Sequence, residues 1–444
     1  MEFADIERYK VDQLFLLVGT NPLPNYVAAK LLVRDPQTAT IFLIHSADTT
    51  SARDSLEREL KREGYAQIIS VLVEEANPAN IRNQITTYAK SLQGLVGINY
   101  TGGTKAMAVH AYLALATLTT LRVQYSYLDA RTLTMQIEGH GIRTTDTVPV
   151  GTHISLPVDQ LLKLHSREIT LDRSLFWPHV AQALADVHRN EQHADNWHAW
   201  VARSFFQEPA WPQAQSNEAW RAWVREQFIE REYRRRTWVK KKDHDATPLE
   251  LPEEFSAVRA ALHAEAGQTP LNSLGDLRTL GGFKDLERLG KWLEGGWMEV
   301  YVMQQIQVLA KQDALHLGDV ARNIIAKIKL KSRSQLDKAE ELQQEIEIDV
   351  AFTCGYQLFV LSCSTSKEKG LGKSKLLEAA IRAEQIGGGE VRLALVSCSV
   401  KPREIEKEIA DVLGRRVRVF GRNHLHDLGN EVANWITDAS RSQE

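Results

Sequence analysis

Three stretches carry side chains whose types and spacing could do chemistry. In "EIEIDVAFTCGYQLFVLSCS", Glu345, Glu347 and Asp349 alternate with Ile346, Ile348 and Val350. Period-2 geometry predicts three carboxylates on one face of a strand and an apolar face opposite. Hard divalent cations such as Mg2+ and Mn2+ take oxygen ligands of this kind. Just downstream, "FVLSCSTSKEKGLGKSKLLEAA" sets Cys363 between Ser362 and Ser364, then supplies Lys367, Lys369, Lys373 and Lys375, with Glu378 one helical turn beyond. Far upstream, "NYTGGTKAMA" places Thr101, Gly102, Gly103, Thr104 and Lys105 where a strand opens into a helix. Paired glycines let backbone come close, and a fresh helix N-terminus offers N–H groups. Hydroxyls and a lysine complete a cradle for an anion such as a phosphodiester; a plain tight turn with an exposed lysine would have the same residues.

Other chemistries find no support. The glycine loop lacks G-x-x-x-x-G-K-[ST], and "GTNPLPN" after the first strand lacks G-x-G-x-x-G, so neither ATP hydrolysis nor NAD binding is signalled. Cys363 sits in an apolar strand, where a thiol is packing rather than a nucleophile. His110, His153 and His165 belong to other regions, so no His pairs with it by sequence, and no G-x-S-x-G elbow occurs. Cys354, Cys363 and Cys398 have no metal-type spacing and form no even disulfide framework, which suits a reducing cytoplasm. A net charge of −3 over 444 residues excludes a polycation-driven binder. The N-terminus lacks the order of a signal peptide, and no apolar run is long enough for a membrane span, so the expected location is cytoplasmic.

The elements that position these residues read as two α/β ends around a helical middle. From "DQLFLLVG" to "LRVQYSYLD", five apolar strands alternate with amphipathic helices, the pattern of a doubly wound sheet. Such sheets bind ligands beyond the carboxyl ends of their strands, and two loops stand out there: "GTNPLPN" (Gly19–Asn25) after the first strand and "NYTGGTKAMA" (Asn99–Ala108) after the fourth. From about 165 to 290 strand patterns vanish. Trp177, Trp197, Trp200, Trp211, Trp220, Trp223 and Trp238 crowd this region, with a basic cluster from Glu230 to Asp245. That cluster suits phosphate contact with base stacking, but the region reads first as a helical connector with inward tryptophans and solvated charges. Toward the C-terminus, "FKDLERLGKWLEGGWMEVYVMQQIQVLA" predicts a helix, a Gly295–Gly296 break and a helix carrying Glu299. A polar connector, a hairpin turning at Cys354–Gly355, a helix ended by glycine and the strand "EVRLALVSCS" follow.

The loops "LVGTNPLPNYVAA" and "INYTGGTKAMAVHAY" resemble those of the CARF domain, the Rossmann-like sensor of type III CRISPR systems, over roughly residues 10–155. The resemblance implies a homodimer binding a cyclic oligoadenylate, cyclic tetra-adenylate being expected, through Thr20, Asn21, Ser46, Thr101, Gly102, Gly103, Thr104 and Lys105. The helix–strand–turn–strand–helix–strand order resembles a PD-(D/E)xK nuclease core. Its segments "LEGGWMEVYV", "EIDVAF" and "EAAIRAEQIGGGEVRLALVS" look like those of CARF nucleases activated by cyclic oligoadenylate. By position Asp349 matches the metal-binding aspartate and Glu299 the helix glutamate, with Glu347 a third ligand, while Gln385 falls where such nucleases carry a polar residue. The expected domains are 1–160 (CARF), 161–285 (helical, Trp/Arg-rich) and 286–444 (nuclease-like).

One departure divides the reading. The family's Glu-x-Lys falls at Ser362-Cys363-Ser364, and neither serine supplies a carboxylate or an ammonium. Either Lys367, Lys373 or Lys375 has replaced the missing lysine, giving a Mg2+- or Mn2+-dependent nuclease acting on DNA or RNA. Or the nuclease is inactive and the chain is a sensor that regulates binding to nucleic acid or a protein partner. Cleavage of the cyclic ligand by the N-terminal domain itself is a third expectation.

Overall fold

A computed structural model describes residues 6–142, 144–166, 168–205, 244–312, 315–329, 343–388 and 391–441. Trp211, Trp220, Trp223, Trp238 and the basic cluster up to residue 243 lie outside the described residues.

The N-terminal sheet contains β1 (Gln13–Leu17), β2 (Thr40–His45), β3 (Gln67–Leu72), β4 (Leu95–Asn99), β5 (Arg122–Asp129), β6 (Thr134–Gly139) and β7 (Asp146–Pro149). Their order is β3-β2-β1-β4-β5-β6-β7, with the first five parallel and the last two antiparallel. Strands such as "QLFLL" are buried on both faces because helices cover both sides. The covering helices are α1 (Leu23–Leu32), α2 (Thr50–Arg62), α3 (Pro78–Ala89) and α4 (Lys105–Ala116). Val27 and Leu31 of α1 and Leu56 and Leu60 of α2 join the core on one face; Ile81 and Ile85 of α3 and Met107 and Ala111 of α4 join the core on the other. The strand order reverses between β1 and β4, so the two loops singled out by sequence sit side by side at the topological switch point.

The middle departs from its expected character. After α5 (Val158–Lys163) the chain forms β8 (Glu168–Asp172), an edge strand of the second sheet. The five-residue "EITLD" is too short to announce itself by alternation. The helices α6 (Pro178–Val187), α7 (Glu191–Phe205), α8 (Ser256–Ala266), α9 (Leu274–Leu280) and α10 (Leu286–Lys291) follow. Trp177, Trp197 and Trp200 point into a core shared with Trp292, Trp297 and the second sheet, rather than filling a detached connector. The Trp197 indole N–H donates to the Leu293 carbonyl at 2.9 Å and that of Trp200 to Glu250 at 2.8 Å, so these amphipathic rings are buried without an orphaned donor.

Helix α11 (Trp297–Ala310) opens without the expected Gly295–Gly296 break, because a π-helical turn over Trp292–Gly296 carries α10 straight into it. The polar stretch after it holds a 13-residue strand, β9 (Leu317–Lys329), while 313–314 and 330–342 lie outside the described residues. Then come β10 (Gln343–Cys354), β11 (Gln357–Ser364), α12 (Lys369–Gly387), β12 (Arg392–Ser397), α13 (Pro402–Leu413), β13 (Val417–Phe420) and α14 (Leu428–Arg441). The sheet runs β13-β12-β11-β10-β9-β8, and the hairpin turn falls at Gly355 as expected. That glycine has φ +58°, and a Cβ there would lie 2.8 Å from the Gly151 carbonyl, so both conformation and neighbour require it.

The two sheets share apolar surface. One continuous core joins Tyr26, Leu128 and Leu156 to Ile346, Tyr356, Leu358 and Ile386. Polar stitches run beside it: Leu156 N–H donates to the Gly355 carbonyl at 2.9 Å, and the Thr353 hydroxyl donates to Leu156 at 2.6 Å.

Candidate functional site

At the switch point, the β1 and β4 loops interlock by backbone. A Cβ on Gly102 would lie 2.2 Å from the Leu17 carbonyl, and one on Gly19 would lie 3.2 Å from the Gly103 amide. Asn25, fully buried, donates its Nδ2 to the Leu17 carbonyl at 2.9 Å and fixes the end of β1; sequence reasoning missed it because a lone Asn in a helix carries no signal. Thr104 caps α4, accepting from Met107 N–H at 3.2 Å and donating to the Glu75 carbonyl at 3.3 Å. Thr20, Gly103, Thr104 and Lys105 are exposed around this crevice.

Three predicted ligand contacts serve the fold here. Ser46 is buried in a capping box with Thr49, so it does not present its hydroxyl to the crevice. The Thr101 hydroxyl accepts from Leu128 N–H at 2.7 Å. Asn21 accepts from Leu23 N–H at 3.0 Å and lies against Gly388 at the end of α12, where an added Cβ would meet its amide nitrogen.

The second site forms where the β10–β11 ladder ends. Paired residues run from Cys354↔Gln357 to Val350↔Leu361, and beyond that the strands part. The Asp349 side chain takes over the lost pairing: its Oδ2 accepts from Cys363 N–H at 2.7 Å and from the Ser362 hydroxyl at 3.1 Å. Lys375, on α12, donates its Nζ to the Cys363 carbonyl at 2.8 Å. Asp349 and Lys375 therefore flank one residue, and both line a cavity of about 370 Å3 with Glu299, Glu347, Ser362, Glu378 and Arg382.

The shared face expected for Glu345, Glu347 and Asp349 is corrected by the structure. Ile346 and Ile348 join the core beneath α12, whereas Val350 and Phe352 join the opposite core with α11 and α14. The alternation changes phase at Asp349, opposite Asn323 of β9, which adopts a left-handed φ of +48°. Asp349 is thus turned out of step with Glu347. The strand β9 also brings Arg322, invisible to a reading that took this stretch as a connector.

Electrostatics mark the cavity. Burial, and then the Asp349 and Glu347 charges, push the Glu299 carboxyl up to about 8 against the pull of Arg322 and Lys375. Burial foremost holds the Cys363 thiol well above its ordinary range, with Asp349 and Glu299 adding to it, so this cysteine is packing and not a nucleophile. Glu299, raised foremost by burial, lines the same cavity as Asp349. Among the described residues no three His, Cys, Asp or Glu side chains gather to hold an ion by themselves. Glu299 and Asp349 fit an ion that completes its shell with water and substrate oxygens, the habit of Mg2+.

The lysines separate clearly. Lys373 pairs with Glu408 of α13, and Lys367 pairs with Glu191 and Asp195 of α7 at 2.9–3.1 Å. Both are held away from the cavity, leaving Lys375 beside Asp349. Gln385 is exposed on α12 and does not line the cavity.

No family model matches the sequence, and no curated protein matches it. Solved structures do. The protein VC1899 from Vibrio cholerae superposes with a TM-score of 0.61 at 16% identity, over 96% of this chain and 98% of that one. Can2 from Sulfobacillus thermosulfidooxidans, solved in complex with cyclic tetra-adenylate, superposes with a TM-score of 0.61 at 16% identity, over 97% and 99%. The likeness is one of fold, and it spans both sheets and the helices between them. No described helix is long and apolar enough to cross a membrane.

Proposed function

We propose that this chain is a cyclic-oligoadenylate-activated effector of type III CRISPR defence whose C-terminal sheet cleaves phosphodiester bonds in nucleic acid. The observation that carries the reading is the convergence of Asp349, Glu299 and Lys375 on one cavity at the strand fork. The lysine that the family keeps on the strand is here supplied from α12, which reaches the same place through the Cys363 carbonyl. Glu299 and Asp349 would hold Mg2+ or Mn2+, which supplies charge neutralisation at the phosphate and acidifies bound water. Lys375 orients the attacking water and offsets charge at the phosphate oxygens. Asp349 keeps β11 parted from β10, so that the cavity stays open to a strand of substrate.

At the other end, the crevice of Thr20, Gly103, Thr104 and Lys105 receives cyclic tetra-adenylate, as the fold shared with Can2 supports. A phosphate ring there gains N–H donors, hydroxyls and one cation per copy. The outer face of α4 exposes Val109, Tyr112 and Leu113 beside Tyr127 of β5, and a second copy of the chain covers it. Since α4 starts from the glycine loop, a two-fold axis there brings two crevices onto one symmetric ligand.

The test is cleavage of labelled DNA and RNA with and without cyclic tetra-adenylate and Mn2+, in wild type and Asp349→Ala. Activity that survives the Asp349 change removes this site assignment. Ser362 in place of a carboxylate favours the second reading, a sensor that binds nucleic acid or a protein without cutting. A ligand-dependent gel shift with no cleavage under each metal selects it.

A further inference from the structure

Arg382 lines the cavity yet has no work in the cleavage scheme above. It stands on α12 in register with Lys375 and Glu378, at spacings of three and four residues, so all three share one helix face. Lys375 donates to the Cys363 carbonyl on β11, while Arg382 donates its Nη1 to the Glu347 carbonyl on β10 at 3.1 Å. The two cations thus grip the two arms of the strand fork. They lie roughly 10 Å apart along the helix axis, at 1.5 Å per residue. That is more than one phosphate group spans, and the cavity between them, about 370 Å3, is larger than one phosphate needs.

We propose that Arg382 holds the phosphate adjacent to the one cleaved, so that a strand with at least two consecutive phosphodiesters is bound in preference to one with a single phosphodiester. The inference rests on the nuclease reading of this cavity. A guanidinium presents paired donors that match phosphate oxygens, and its remaining partner, Glu378, is an exposed i,i+4 neighbour whose hold is weak and easily exchanged. The far end of the cavity otherwise offers an incoming polyanion only Glu347 and Glu378, so Arg382 supplies the attraction there.

The experiment uses the full chain as wild type, Arg382→Ala, Arg382→Gln and Arg382→Lys, with Ca2+ in place of Mn2+ and a fluorescein-labelled single-stranded DNA. Anisotropy titrations over a salt series give Kd and its salt slope. Arg382→Ala and Arg382→Gln weaken binding about tenfold, and each lowers the slope by about 0.7, the value of one phosphate contact on a single strand. Arg382→Lys keeps the slope. The Gln variant keeps a donor for the Glu347 carbonyl, so its result separates lost charge from lost folding. An unchanged Kd and slope in both neutral variants overturns the proposal. With Mn2+ and cyclic tetra-adenylate, KM rises more for a trinucleotide than for a dinucleotide, and an equal loss on the two overturns the adjacent-phosphate assignment. If wild type cleaves nothing, the nuclease reading fails, while the salt slope still decides whether Arg382 contacts phosphate.

Discussion

Asp349 and Lys375 hold the same residue from two sides: the carboxylate accepts the Cys363 amide at 2.7 Å, and the ammonium donates to the Cys363 carbonyl at 2.8 Å. A carboxylate from one strand and an ammonium from a helix are thereby set at a fixed separation by the backbone of a single residue between them. Lys375→Ala and Asp349→Ala are each expected to slow ligand-activated cleavage by about 10^2–10^4-fold, the order of loss when a positioned catalytic group is removed. Lys373→Ala and Lys367→Ala, whose side chains are engaged by Glu408 and by Glu191 and Asp195, leave the rate within about twofold. Single-turnover kinetics on labelled DNA and RNA distinguish these outcomes, and loss of activity in Lys373→Ala would reassign the lysine that acts at the cavity.

Ser362→Glu restores a carboxylate next to Asp349, whose Oδ2 lies 3.1 Å from the serine hydroxyl. The added charge is expected to tighten Mn2+ binding by about tenfold. The same change destabilises the metal-free protein by about 1–2 kcal/mol, because two carboxylates then repel in a partly buried cavity. Calorimetric titration with Mn2+ and a melting curve in EDTA read the two effects separately.

Gly102→Ala forces a methyl into the Leu17 carbonyl, 2.2 Å from its ideal position, so β1 and β4 loops must part. A loss of about 2–3 kcal/mol of stability is expected, together with loss of cyclic tetra-adenylate binding. Lys105→Ala weakens that binding and lowers its salt dependence, but it leaves the melting temperature in place, since Lys105 is exposed at the start of α4.

His188 predicts an acid limit. Its ring is fully buried, with Nδ1 2.8 Å from the Leu184 carbonyl and the Trp297 ring tilted against it at 4.7 Å between centroids. Burial, with His198 adding to it, lowers its folded pKa to about 3 from an ordinary 6.5. Unfolded chain therefore binds the extra proton first, so the stability contributed by neutral His188 is intact above pH 6.5. It falls as the pH drops toward 3, by up to about 1.4 kcal/mol per pH unit. Melting curves between pH 7 and pH 5 should slope downward in wild type, and less steeply in His188→Asn.

Leu113→Glu places a charge on the exposed apolar face of α4 and is expected to shift the chain from dimer to monomer in sedimentation velocity. A wild type that sediments as a monomer at micromolar concentration, with or without cyclic tetra-adenylate, would refute this interface.

The alternating strands and helices of the N-terminal half were legible because buried parallel strands are short apolar runs bounded by glycine and polar residues, as in "QLFLL" and "LVGIN". The fork was legible only as composition. Asp349, Glu299 and Lys375 could be named from their types, but not the phase change along β10 opposite Asn323 that puts Asp349 out of step with Glu347. A left-handed residue in a long strand leaves no periodic trace. The strands β8 and β9 escaped notice because "EITLD" is short and "LGDVARNIIAKIK" mixes charges into a partly covered edge region. Arg382 was equally hidden, since a helix arginine gains meaning only from the carbonyl it meets.

The apolar core that runs unbroken from Tyr26 through Leu156 to Leu358 and Ile386 leads to the expectation that the halves melt as one unit. Any molecule gripped by the β1 and β4 loops stabilises the folded state by mass action, about 2.7 kcal/mol at one hundred times its dissociation constant. In a unit that opens as a whole, that increment is felt by every amide whose exchange requires the opening. The Cys363 amide, held by Asp349 at the far end of the molecule, would then trade its proton with solvent about a hundredfold more slowly when the crevice is filled. Hydrogen exchange in β11 becomes a clock for occupancy elsewhere.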